Sequence, residues 1–160
     1  MRTLLLLRHG QAAPEQGNHD RERPLTERGR RDADGVGRWL ASEGLLPEQI
    51  LSSSASRTAE TARRVAVAAK FVGSIALLDE LYLGEPEAYI EAAARLARGA
   101  ERLLIVGHNP SLEALALTWS GQPTSLPTAA LLVCSLPIAN FSELSAEVCG
   151  KISRFVLPTA

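Results

Sequence analysis

Residues 3–7 read Thr-Leu-Leu-Leu-Leu, and the four leucines put apolar side chains at both parities. Side chains alternate between the two faces of a strand, so a strand apolar at both parities must be covered on both sides. The run therefore predicts a strand buried at the centre of a sheet. It ends in Arg8-His9-Gly10-Gln11. A rigid central strand thus delivers a guanidinium and an imidazole to its carboxyl end.

The rest of the chain says what covers that strand. Residues 11–25 are polar and rich in turn formers, which predicts a long loop. Thr26 is placed to cap a helix with Ala33, Val36, Trp39 and Leu40 on its apolar face, and Gly44 to stop it. A short strand (49–53) precedes a second helix (56–71) with Ala59, Ala62, Val65, Ala66 and Ala69 at helical spacing. Strand 74–78, loop 79–84, helix 86–99 with Pro86 in its first turn, strand 102–107, turn 108–110 and helix 111–121 follow. This alternation predicts an α/β fold, a three-layer αβα sandwich around a mostly parallel sheet. Residues 129–137 and 151–158 have no helix between them and predict an antiparallel edge. One domain is expected over residues 1–160.

Charge and cysteines narrow the setting. The formal net charge of −1 argues against a general nucleic-acid or membrane surface, since both usually need a basic excess. Arg28-Gly29-Arg30-Arg31 reads as the solvated face of a helix and His19 as an exposed loop residue. Cys134 and Cys149, without metal-ligand spacing, read as two small core residues in a reducing compartment. The N-terminal apolar run is too short for a secretory signal, and no later stretch is long enough to cross a bilayer, so a cytoplasmic protein is expected.

In open α/β sheets, ligands bind beyond the carboxyl ends of the strands. The predicted strand ends carry Arg8-His9-Gly10, then Arg57 at the start of a helix, then Asp79-Glu80, then His108 before another helix. Two guanidinium forks match the oxygens of a phosphoryl group, and helix N-termini add N–H donors. Gly10 is expected to let the ligand approach the backbone. Neighbouring arginines should keep His9 neutral, so that it attacks phosphorus and forms a phosphohistidine. Arg8, Arg57 and His108 would stabilise the equatorial oxygens. Glu80 is expected to protonate the leaving group and later activate water, with Asp79 or water itself as alternatives. The chain has no acidic cluster to hold a metal, and neither metal nor other cofactor is required.

These segments resemble the histidine phosphatase superfamily, which includes the phosphoglycerate mutases. "LLLLRHGQ" is similar to its N-terminal signature, "RPLTERGRRDA" to the segment that follows, and "SSSASRTAETA" to its second-arginine motif. "LDELYLG" resembles the acid-bearing segment of the mutase-like branch, and "LLIVGHNPSLEALALTWSG" the second-histidine motif. The "ELY", "VGHNPSLEALA" and "RFVLP" segments resemble the short SixA-type group of phosphohistidine phosphatases. The resemblance implies a phosphoglycerate mutase-like fold. It also implies His9 as the phosphorylated nucleophile, a phosphate pocket of Arg8, Arg57 and His108, and Glu80 as proton donor. Asn109 stands where one branch places an acid directly after the second histidine, which excludes that variant. Between Arg57 and His108 there is no room for a large helical lid. An open pocket would admit phosphate on something bulky, such as phosphohistidine on a protein, and release inorganic phosphate. Small phosphoesters or a mutase reaction are the alternatives, and a non-catalytic phosphate-binding module the third. A monomer is expected.

Overall fold

The computed structural model describes residues 1–17 and 19–159. Six strands form one sheet: β1 (Arg2–Arg8), β2 (Gln49–Ser53), β3 (Ile75–Leu78), β4 (Arg102–Gly107), β5 (Leu131–Leu136) and β6 (Lys151–Val156). Their order is β3-β2-β4-β1-β5-β6. The first four run parallel, so their carboxyl ends share one rim. β5 runs against β1, and β6 against β5, giving the antiparallel edge.

The leucine run is the axis of the packing. Leu4 and Leu6 face one side, where α3 (Pro86–Leu96) and α4 (Ser111–Ser120) bury Tyr89, Leu112, Leu115 and Trp119 against them. Leu5 and Leu7 face the other, covered by α1 (Glu27–Ser42) and α2 (Ser56–Ala68) through Ala33, Val36, Leu40, Ala62 and Val65. All four leucines are fully buried, so the strand is clamped between two helical layers and its end has little freedom. The fold is the three-layer α/β sandwich that the periodicity predicts.

Local signals act as their chemistry dictates. The Thr26 hydroxyl accepts from the Gly29 N–H and caps α1. Gly44 follows its end with φ 68, a conformation that suits a residue without Cβ. Pro86 sits in the first turn of α3. The second and third helices end earlier than expected, at Ala68 and Leu96, and two long links carry more structure than expected. The loop 11–25 carries a 3₁₀ turn at Asp20–Glu22 and a bridge from Ala12 to Leu25. The link from β5 to β6 buries Ile138, Phe141 and Leu144 through a 3₁₀ turn with a capping box from Asn140 to Glu143. Cys134 is buried as expected, and burial pushes its thiol up to about 12. Cys149 is exposed, which corrects its placement in the core. No helix among the described residues is long and apolar enough to cross a membrane.

Candidate active site

The shared rim holds a cavity of about 430 Å³. Its polar wall is built by Arg8 and His9 from the end of β1, Arg57 from the first turn of α2, and His108 from the end of β4. Residues from three segments far apart in sequence meet there because the parallel register sets β1 beside β4, pairing Arg8 with Gly107. α2 and α4 begin at this rim without side-chain caps, so their first N–H groups and positive dipole ends favour an anion.

His9 is only 7% exposed. Its Nδ1 lies 2.8 Å from the Gly10 carbonyl oxygen. A carbonyl only accepts, so the proton sits on Nδ1 and the Nε2 lone pair is free. Burial lowers the His9 pKa to about 4; the Gly10 carbonyl opposes the fall, and the Arg57, Arg8 and Arg23 guanidiniums add to it. The imidazole is therefore neutral at physiological pH, more by desolvation than by the arginines. His108 stacks obliquely on it, with ring centroids 5.3 Å apart, and its Nε2 shares a 2.9 Å hydrogen bond with the Ser53 hydroxyl. Burial, His9 and Arg57 bring its pKa down to about 3. Arg8 donates to the Leu126 carbonyl at 3.0 Å, while its buried Nε meets no protein acceptor among the described residues. Desolvation, partly offset by Glu113, lowers its pKa.

Two expectations need correcting. A Cβ on Gly10 would meet the Gly29 carbonyl oxygen at 2.7 Å, and Gly10 does not line the cavity. Its missing side chain lets α1 approach; its service to the site is the carbonyl that fixes the His9 tautomer. Its N–H donates to Thr61, whose hydroxyl donates to the Arg57 carbonyl, so one buried threonine joins the two arms of the site. Glu80 does not reach the cavity either. The 3₁₀ turn Asp79–Leu81 buries Leu81 and turns the Glu80 carboxylate outward, 2.5 Å from Arg95. Asp79 is likewise outside, paired with Arg21, and the Ser54 hydroxyl and Arg21 hold its carboxyl below the ordinary range. Glu85, next to α3, is the acidic residue among the described residues that line the cavity.

Other wall residues escaped the sequence reading. Arg23 is a third guanidinium there; Gln11 and Asn109, which follow the two histidine segments in sequence, also line it. Leu83 stands at the mouth, 80% exposed and with φ 56. Arg23 sits in "ERPLTERG", two residues before a buried leucine, and no spacing rule ties it to a strand end.

An α/β sheet whose parallel rim presents three guanidiniums and a neutral, tautomer-fixed histidine defines a phosphoryl-handling protein. The sequence profile described as "Histidine phosphatase superfamily (branch 1)" matches residues 4–97, and the chain belongs to that superfamily. A solved structure described as a candidate phosphohistidine phosphatase SixA from Agrobacterium tumefaciens superposes with a TM-score of 0.83 at 27% identity, covering 98% of each chain. The protein histidine phosphatase SixA with tungstate shares the fold at a TM-score of 0.81 and 23% identity, over 96% of this chain and 95% of its own. An uncharacterised protein of Mycobacterium tuberculosis is 32% identical over 111 residues, covering 69% of this chain and 68% of its own.

Proposed function

We propose that the protein is a phosphatase that works through a covalent phosphohistidine on His9, and that its substrate is phosphohistidine carried on a protein. The observation that carries the reading is the state of His9: buried, neutral, protonated on Nδ1 and open at Nε2, with guanidiniums on the same wall. Nε2 attacks phosphorus; the Nε2–P bond forms as the bond from phosphorus to the leaving nitrogen or oxygen breaks, and that electron pair departs with the leaving group. Arg8, Arg57 and His108 hold the equatorial oxygens while charge builds on them. Glu85 is the wall carboxylate offered to protonate the leaving group and, in the second step, to take a proton from the attacking water. Water then displaces Nε2 from phosphorus, inorganic phosphate leaves, and His9 returns to its starting state. No metal or other cofactor enters these steps.

The mouth supports a bulky carrier. Between Arg57 and His108 the chain builds only the rest of α2, β3, a 3₁₀ turn and α3 before β4. Leu83 offers an apolar contact there to whatever bears the phosphoryl group. The setting assumed is a monomer in the cytoplasm. The test is a turnover panel of a phosphohistidine protein, sugar phosphates, nucleotides and an aryl phosphate. Highest kcat/KM on the phosphohistidine protein is expected; fast turnover of small esters with none of the protein would replace this substrate by a small phosphoester.

A further inference from the structure

The polar loop 11–25 brings one carboxylate, 39% exposed in its side chain, against two arginines of the cationic wall. Arg57 donates to the Asp20 carbonyl at 2.9 Å and to its Oδ2 at 3.2 Å. Arg23 donates to Asp20 Oδ1 at 3.0 Å and to the Ala13 carbonyl at 2.7 Å. The Tyr82 hydroxyl donates to Oδ2 at 2.7 Å. Asp20 is not in the cavity wall, whereas both arginines are. It holds one N–H of Arg23 and, with its carbonyl, two of Arg57, which leaves further N–H donors of each fork for an anion.

We propose that Asp20 is a positioning residue that fixes Arg57 and Arg23 as a paired, pre-oriented phosphoryl clamp, with Tyr82 locking it in place. The proposal rests on the phosphatase reading above. Tyr82 is itself held: its ring meets the edge of His108 at 5.9 Å, and the Arg21 guanidinium lies 5.5 Å from its centroid on the other contact. The Asp20 carboxyl is held down to about 2, first by the Tyr82 hydroxyl and then by Arg23 and Arg57, so the clamp stays charged across any ordinary assay pH. A long arginine side chain otherwise has many rotamers, and Arg57 is only 7% exposed. A guanidinium fixed before substrate arrives needs no reorganisation as charge develops, so the gain belongs to the transition state.

The opposite role is an occluding anion that competes with phosphate, and the two roles predict opposite signs. The experiment compares wild type with Asp20→Ala, Asp20→Asn and Tyr82→Phe on an aryl phosphate, with rates normalised to the phosphoenzyme trapped per chain. Inorganic phosphate is the competitive inhibitor. Asp20→Ala should lower normalised kcat about ten- to a hundredfold, with KM and phosphate inhibition changed about threefold or less. Added formate should restore part of that kcat. Asp20→Asn, which keeps one acceptor oxygen and the backbone carbonyl, should fall between, and Tyr82→Phe should lose least. If Asp20→Ala does not fold, the asparagine variant and Tyr82→Phe carry the same reading. Undiminished kcat in these variants, or tighter phosphate inhibition with kcat intact, overturns the clamp. His9→Ala separates the two failures: turnover persisting there removes the His9 phosphoenzyme on which the clamp rests, while an inactive His9→Ala beside a fully active Asp20→Ala removes the clamp alone.

Discussion

The ends of β1 and β3 lie on the same rim, and both carry charged pairs, yet they serve the molecule differently. β1 sits between β4 and β5 with four fully buried leucines, and Arg8 and His9 leave it in a fixed direction into the cavity. β3 is the outer strand, its residues are half-buried or exposed, and a 3₁₀ turn follows it at once. That turn puts Leu81 in the core and spends Asp79 and Glu80 on surface ion pairs with Arg21 and Arg95. A side chain's direction is settled by how tightly the backbone before it is held, and only a strand clamped on both faces and both edges settles it from sequence alone.

The contrast is testable at several strengths. The largest effect should come from the cationic wall: Arg57→Ala is expected to lower kcat/KM about 10²–10³-fold, as removal of a transition-state donor does. Loss below about tenfold in steady-state kinetics would mean the clamp side of the rim is dispensable. Next comes packing. Leu6→Ala, at a fully buried site, should destabilise by about 3 kcal/mol. Leu77→Ala in β3, 40% exposed in the wild type, should lose less than about 1 kcal/mol in denaturant titration. Equal losses would erase the difference between the central and the outer strand.

Acid should then expose the buried histidines. The unfolded chain takes up protons on these rings near pH 6.5, whereas folded His9 and His108 refuse them until about 4 and 3. The unfolded state binds more protons in that window, so stability is full above about 6.5 and falls as pH drops toward 3. Asp20, lowered to about 2 from the ordinary aspartate value, adds a further loss below that value. Thermal melts across this range check the slope, and a flat profile from 6.5 to 4 would mean the rings are not desolvated. The smallest effect separates the two carboxylates: Glu85→Gln should lower kcat on a poor leaving group about tenfold, and Glu80→Gln less than about twofold. The reverse order would return the proton-donor role to the end of β3.

The same contrast explains what was legible in the sequence. The leucine run, the alanine face of α2, Pro86 at the start of α3, and the Thr26 cap are local patterns, and the structure uses each as the pattern requires. Arg8, His9, Arg57 and His108 converge because parallel strands must share a rim. Gly10 was misread because the atom it avoids, the Gly29 carbonyl, belongs to another element brought close only by the fold. Glu80 stands at the spacing of an acid, but a 3₁₀ turn rotates it away. Asp20 and Arg23 lie in a loop with no periodicity, so nothing local marks them as partners of Arg57. Cys149 belongs to the long β5–β6 link, whose packing is fixed by Asn140, Phe141 and Trp119 rather than by its own pattern.

The central claim is that β1 presents His9 Nε2 as the nucleophile. Its most direct measurement is phosphoenzyme trapping: rapid mixing with an aryl phosphate, alkaline quench, and mass mapping of the phosphorylated peptide. The account predicts an acid-labile, base-stable phosphoryl group on His9 of the wild type, and none in His9→Ala. Phosphorylation at another residue, or labelling that survives in His9→Ala, would contradict it.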